Sequence, residues 1–568
     1  MKSPARQHPP NATPPGGTAD TAISPHYKWL ALSNTTIAVL LATIDASIML
    51  IAMPEIFRGI RLNPLDPGNS FYLLWMILGF LIVSSVLVVS LGRLGDLYGR
   101  VRMYNLGFAV FTAASLALAL DPLTGRVGAD WLIVWRIVQG VGAAFLVANS
   151  AAILTDAFPP NQRGLALGIN NIAGISGSFI GLVLGGLLAA IDWRLVFLVS
   201  VPFGLFGTLW SYWKLRELGE RQRARVDWAG NITFALGLVL LMMGITYGIE
   251  PAGGQAMGWT SGPVLTLLVA GAAALLAFAF VELRVPEPMF RFSLFRIKTF
   301  TFGTLSTFLS AIGRGGLMFM LVIWLQGIWL PLHGYSFAQT PLWAGIFMLP
   351  LTLGFLLSGP LAGHLSDRWG ARYFATGGMI GSALSFLLLM LLPIDFNYTT
   401  FAGILFLNGL GMGAFAAPNR AAIMNSLPAR DRGAGGGMNS TFQNSAQVLS
   451  IGIFFTLMII GLSATLSTTL VQGLTRYGIP PAVAAQVGAQ PPISILFAAF
   501  LGYNPIRTLV GPGVLAHVSA SDRAALTGHS FFSNLIAQPF HAGLVEAFVF
   551  ATVVCLIAAA ASWSRGAQ

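Results

Sequence analysis

The sequence predicts an all-α integral membrane protein of fourteen transmembrane helices, built as two six-helix halves with two extra helices between them. Three observations carry this. Of 568 residues, 55% are hydrophobic and only 9% charged, against roughly 25% charged in an ordinary soluble domain. Apolar runs able to cross a bilayer, at about 20 residues each, recur fourteen times along the chain. The chain also repeats itself: GRLGDLYG at 92–99 returns as GHLSDRWG at 363–370, 271 residues later. Gly140, Gly142, Pro159, Arg163 and Gly164 are matched by Gly409, Gly411, Pro428, Arg432 and Gly433, each 269 residues later. Two registers so close imply one duplication, and parallel halves of this kind build the midplane sites of many transporters.

Residues 1–27, rich in Pro, Ala and Thr and without an apolar core, are expected to form a disordered tail and not a signal peptide. The spans then fall near 29–54, 70–91, 103–120, 131–153, 164–190 and 194–213, the first half occupying 28–214. Linkers and the two extra spans, near 229–249 and 262–281, fill 215–298. The second half, 299–568, has spans near 300–326, 341–362, 373–392, 400–424, 435–469 and 541–563, with a long external loop at 470–540.

An even count puts both termini on one side, and lysine and arginine choose which. The segments on the termini side hold 21 of the 31 basic residues and the opposite segments 7, so both termini are expected in the cytoplasm of a cell-membrane protein. The net charge of +11 therefore reads as topology, with no nucleic-acid partner. Cys555 is alone, which excludes an internal disulfide and a multi-cysteine metal site. The seven histidines form no metal-spaced pair in a span. No metal, no cofactor and no catalytic cluster are expected, and the chain is not read as an enzyme.

ATP as a driving force is disfavoured directly. A P-loop needs Gly-Lys-Ser/Thr, and none of the four lysines, Lys2, Lys28, Lys214 and Lys298, follows a glycine. Coupling to an ion is left, and it needs a titratable group within the membrane. Only Asp45 and Glu546 among the acids fall inside apolar spans, where a charge costs about 2.5–3.5 kcal/mol on insertion scales and so faces a cavity or a partner. Asp45 in helix 1 and Arg136 in helix 4 fall at similar depth because the two helices run oppositely. Burial raises a carboxylate's proton affinity and a nearby arginine lowers it, so this pair is the candidate proton-coupling site, with a fixed ion pair as the plainer reading. Gln139, Asn149, Arg314, Trp324, Glu546 and Trp75 are the candidate lining of a substrate cavity. Arg314, flanked by Gly313, Gly315 and Gly316, suits an anionic headgroup or carboxylate, or pairing with Glu546. Arg420 is expected to snorkel to the inner surface.

In the repeated loop, Gly92, Gly95 and Gly99 permit a tight turn. Asp96, with Arg100 beside it and an arginine such as Arg163 as partner, would hold the cytoplasmic side closed. Gly363, Asp367 and Gly370 are expected to act alike in the second half. Gly177, Gly181 and Gly185 leave a smooth stripe on helix 5 for close packing. Trp131, Trp193, Trp329 and Trp343 lie at span ends and read as an interfacial belt.

These residues carry a family resemblance. GRLGDLYGRVR at 92–102 resembles the loop signature between helices 2 and 3 of the major facilitator superfamily, and Arg136-Ile-Val-Gln139-Gly140-Val-Gly142 its helix-4 motif. The two inserted helices, Leu41 to Asp45 through Pro54, and Asp192-Trp193-Arg194 through Gly204 narrow the resemblance to the 14-helix drug:proton antiporter family. It implies the major facilitator fold, alternating access, and an essential acid in helix 1. Leu50, Leu182 and Ser200 depart from the family's pattern, which puts two asparagines and a proline there.

The resulting expectation is proton-coupled export of hydrophobic or amphipathic compounds, with protons and membrane lipids as the other partners. The alternatives are a lipid or lipid-conjugate transporter on the same scaffold, an importer of a small polar nutrient, and, remotely, a membrane-embedded enzyme. Within 470–540, Ile493 to Leu501 is apolar but too short to span. It is expected as a short helix on the outer membrane surface or capping the cavity exit, where it would pass substrate to lipid or to an extracytoplasmic protein partner.

Overall fold

The structure, a computed structural model, describes residues 26–66, 68–159, 162–218, 227–255, 257–286, 288, 290–428, 432–502 and 504–566. The expected disordered tail lies outside them. Among the described residues, fourteen helices are long and apolar enough to cross a membrane. They are α1 (Tyr27–Gly59), α2 (Asn69–Tyr98), α3 (Arg100–Ala119), α4 (Gly125–Ala157), α5 (Arg163–Ala189) and α6 (Leu195–Lys214), then the inserted α7 (Trp228–Ile249) and α8 (Gly262–Glu282). The second half has α9 (Lys298–Leu332), α10 (Thr340–Trp369), α11 (Ala371–Met390), α12 (Tyr398–Asn425), α13 (Arg432–Arg476) and α14 (His529–Ser564). Both described ends of the chain lie at one end of the bundle, here called the termini end, and the 470–540 connection lies at the loop end.

Each half repeats one packing scheme. In the first, α1 packs on α5, α2 on α4 and α3 on α4; in the second, α9 on α13, α10 on α12 and α11 on α12. The glycine stripe of α5 makes its contact possible. A methyl group on Gly177 would stand 2.9 Å from the Leu40 carbonyl oxygen, on Gly181 2.5 Å from that of Ile44, and on Gly185 2.8 Å from that of Ile48. Three glycines on one face thus let α5 touch the α1 backbone on both sides of Asp45. Since backbone cannot step aside as a side chain does, Gly181→Val is expected to cost about 1–3 kcal/mol as overpacking. A melting temperature equal to that of the unchanged protein would contradict this contact. α5 runs unbroken through Gly181 and Leu182, with Leu182 buried.

At the loop end the halves are joined by direct contacts. Gly186 of α5 lies against Pro341 and Leu342 of α10, and Gly345 lies against the Leu182 carbonyl. The Arg58 Nη2 donates to the Leu501 carbonyl at 3.1 Å and Gln326 Nε2 to that of Ile51 at 3.4 Å. Gln326 sits in a π-helical turn of α9, Trp324–Trp329, which widens the helix by one residue per turn and exposes backbone for other contacts. Two of them are filled: Ser533 donates to the Gly327 carbonyl at 2.7 Å, and the backbone of Ala499 packs on Gly327.

Of the two places the sequence offers the connection holding Ala499, the outer membrane surface and a cap over the cavity exit, the structure excludes the first. α13 continues to Arg476 and α14 begins at His529, so both helices extend into the expected loop. Between them, Pro481–Gly488 and Pro492–Phe500 form two short helices bent by 86°. Every residue of the second is buried, with Phe497 against Phe455 and Phe500 against Phe319 at ring-centroid distances of 5.5 and 5.7 Å. Its nine apolar residues, too few to span, are buried in protein instead of in lipid.

Candidate functional site

α1, α3 and α4 bring together the one cluster of buried charge that the sequence placed at a common depth. Asp45 lies fourteen residues before the end of α1, and Arg136 eleven residues after the start of the antiparallel α4. Both are fully enclosed, with side-chain exposures of 0% and 1%. Arg136 Nη1 donates to Asp45 Oδ2 and, at 2.6 Å, to Gln139 Oε1. Gln139 Nε2 donates to Asp45 Oδ1 and to Ser115 Oγ, both at 2.8 Å. Arg136 Nε reaches the Met76 carbonyl of α2 at 3.3 Å, and its guanidinium lies 4.4 Å from the Phe80 ring centroid. Both carboxylate oxygens are therefore satisfied, and the charge is paired where an unpaired one would cost several kcal/mol. Chemically, Asp45 has two neutral ways to exist in such a place: against the guanidinium, or with a proton replacing it.

Ser115 was missed by the sequence reading, although a serine on an apolar span was its signal. The second half repeats the scaffold of this cluster without its charge. At the 269-residue offset, Gln139 becomes Asn408, which donates to Ser385 Oγ at 2.6 Å, and Arg136 becomes Leu405, fully buried. Among the described residues, only the first half holds an ionisable pair at this level.

The repeated loop signature builds the α2–α3 junction. Gly99 takes φ +111° at the turn, and Gly95 packs so closely on Asn149 of α4 that any side chain would collide with it. Asp96 pairs with Arg100 at 2.8 Å, and Arg100 with Asp156 at 2.5 Å. Arg163, the partner offered from sequence, instead donates to the Phe158 carbonyl at 3.1 Å, because the turn before α5 folds it back on its own segment. Glu217, which the sequence gave no reason to single out, accepts the N–H groups of Arg100 at 2.6 Å and Val101 at 3.1 Å. A carboxylate there satisfies the free donors at the start of α3. Gly92 has only Ala148 within reach.

The second copy differs. Gly370 repeats the turn at φ +88° and Gly363 faces Ala417. Asp367, however, is exposed and makes no ion pair among the described residues. At this end of the second half Arg565 makes the buried polar contacts instead, donating to Asn419 Oδ1 at 2.9 Å, to the carbonyls of Ser562 and Ala371 at 2.9 and 3.3 Å, and to Ser562 Oγ at 2.5 Å. Burial, and then the charge of Arg372, pull its guanidinium down to about 10. As the Asp96–Arg100 pair is partly exposed, it is worth about 0.2–1 kcal/mol. Asp96→Ala is therefore expected to change the balance between the two faces by no more than about fivefold. A cysteine placed at Val89, opposite Gly437 of α13, would report this by its labelling rate, and an unchanged rate would leave the loop a structural turn.

The cavity candidates separate. Gln139 belongs to the charged cluster, and Asn149 is buried against Gly95 and bonded to its own helix at the Phe145 carbonyl. Trp324 is enclosed by Phe396, Phe401 and Phe548, and Trp75 is buried and stacked on Phe71. Apolar rings of this size fill the core before they line a space. Trp193 and Trp329 are likewise buried, so they do not form an outward belt. Glu546 is exposed on the same stripe of α14 as Val549, Val553, Leu556 and Ile557, at helical spacing; it lies on the outer face, apart from Arg314. Arg314 remains partly exposed with no ion pair or hydrogen bond among the described residues. The glycines beside it serve packing, Gly313 on Cys555 and Gly315 and Gly316 on α13. Arg420 is exposed near the termini end of α12, and its Nη1 approaches Asn171 Oδ1 of the first half at 3.4 Å.

Comparison with known proteins agrees with this geometry. A family model described as Major Facilitator Superfamily matches residues 35–281 and 222–451. The riboflavin transporter RibZ of Clostridioides difficile is 28% identical over 429 residues, 75% of this chain and 87% of its own. The tetracenomycin C resistance and export protein of Streptomyces glaucescens is 27% identical over 567 residues, 98% of this chain and 95% of its own. Among solved structures, a bacterial homologue of the human lysosomal transporter Spinster, in an inward-facing and unoccupied conformation, covers 95% of this chain and 98% of its own, with a TM-score of 0.55 at 17% identity. At that identity the likeness concerns the fold.

Proposed function

Because this chain belongs to the major facilitator superfamily, in its 14-helix drug:proton antiporter family, we propose that it exports hydrophobic or amphipathic compounds in exchange for protons by alternating access across the cell membrane, with both termini in the cytoplasm. The observation that carries the reading is the enclosed Asp45–Arg136–Gln139 cluster, the one buried acid–base pair within the spans among the described residues. In the exchange, a proton and the guanidinium compete for one carboxylate. When α1 and α4 separate, Asp45 takes a proton; when they close, Arg136 displaces it. The name of the Streptomyces relative, a resistance and export protein, supports export, and that of RibZ, a riboflavin transporter, widens the range to aromatic polar cargo.

A second reading, transport of a lipid or lipid conjugate, is favoured by Arg314, a partly exposed cation without a partner among the described residues, since an anionic headgroup satisfies such a group. Purified protein in liposomes with an imposed pH gradient, offered a cationic dye and a fluorescent anionic lipid, tests both. Dye accumulation driven by the gradient supports antiport of amphipaths, lipid movement alone supports the second reading, and movement of neither under any gradient rejects both.

A further inference from the structure

The inserted helices end in a pair of acids that the exchange at Asp45 does not use. Asp227 caps the start of α7, its Oδ1 accepting from the Gly230 N–H at 2.8 Å. Glu282 closes α8, its Oε2 accepting from the Phe290 N–H at 2.8 Å. Both side chains are buried, at 5% and 3% exposure, and the second oxygen of each, Asp227 Oδ2 and Glu282 Oε1, has no donor. Those two oxygens converge on one spot beside Gly230, where a methyl group would stand 2.7 Å from Glu282 Oε1 and closer still to Asp227 Oδ2, colliding with both. Two ionised carboxylates facing each other offer four acceptors and no donor, a costly arrangement in an enclosed place. One proton between them supplies the missing donor.

The pair also sits where the halves are tied together at the termini end. Phe290 belongs to the segment joining α8 to α9, and its ring packs on Phe234 of α7, Phe278 of α8 and Phe442 of α13. Two residues earlier, the Pro288 carbonyl accepts from Arg93 Nη2 of the loop signature on α2 at 2.6 Å, and Arg93 acts on Glu282 through its charge. Of the other charged neighbours, Arg284 turns onto the Phe280 ring at 3.9 Å and Arg291 is exposed; α13 presents Phe442. We propose that Asp227 and Glu282 form a proton-binding site that, when occupied, holds this segment against α2 of the first half and α13 of the second. The inserted helices would thus carry a latch responsive to pH at the termini end, and the proposal stands apart from the role of Asp45. As pH rises and the shared proton leaves, the two carboxylates repel, Glu282 releases the Phe290 N–H, and the segment loosens.

The test uses the full-length protein in lipid nanodiscs, without any transport substrate, in an Asp45→Asn, Arg136→Gln background so that the ion pair of the proposed exchange is silent. Hydrogen exchange of the 290–297 amides, corrected for the intrinsic effect of pH, is expected to quicken towards tenfold per pH unit once the proton is lost. Glu282→Gln, which keeps a donor in place of the proton, is expected to hold the segment protected at every pH. Gly230→Ala, which forces the two oxygens apart, is expected to leave it unprotected at every pH, and an infrared band of a protonated carboxyl should vanish in Glu282→Gln. Exchange that does not depend on pH in the unchanged pair, or an unaltered infrared spectrum in Glu282→Gln, overturns the proposal.

Discussion

Asp45→Asn is expected to abolish uphill transport in liposomes while leaving downhill movement of substrate measurable. One charge crossing about 100 mV supplies about 2.3 kcal/mol, or roughly a fiftyfold gradient, and the whole of that gradient should disappear. Asparagine keeps one acceptor oxygen where the carboxylate offered separate ones to Arg136 and Gln139, and it removes the charge, so the buried guanidinium loses its counter-ion at a cost of up to about 3–5 kcal/mol. A loss of transport by the single variant would thus be ambiguous between coupling and folding. The double variant Asp45→Asn with Arg136→Gln removes both charges and is expected to recover the melting temperature without recovering accumulation. Recovery of both would make the pair an orienting contact between α1 and α4, and Asp45 would not carry the proton.

The second large effect concerns the bent connection at the loop end. Phe497 is 1% exposed and packed on Phe455, so Phe497→Ala removes a ring from a closed core and is expected to cost about 3–5 kcal/mol. Phe203 on α6 is 54% exposed and faces outward, so Phe203→Ala is the matched control, with little change in melting temperature expected. Equal melting temperatures for the two variants would return the Pro492–Phe500 helix to the outer membrane surface, one of the two positions its sequence offers. Since this helix also underlies the π-turn of α9 and meets Arg58 of the first half through Leu501, its loosening should raise passive leak of substrate as well.

The sequence alone determined the class of the molecule, the number of spans and the duplication, because the bilayer admits only long apolar helices and a repeat leaves its spacing in the chain. It also put Asp45 and Arg136 at one depth, since that needs only helix length and direction. Other assignments required the packed chain. Which face of a helix meets a neighbour cannot be read where nearly every residue is apolar: Trp75 and Trp324 went to the core, and Glu546 to the outer face. Contacts between residues remote in sequence were equally hidden, among them Glu217 on the start of α3, Arg565 in the place of Asp367, and Asp227 against Glu282. Hydropathy fixes how deep a residue lies along a span, while its partners depend on the rotation of the helix about its axis, and that is set by packing against the other helices.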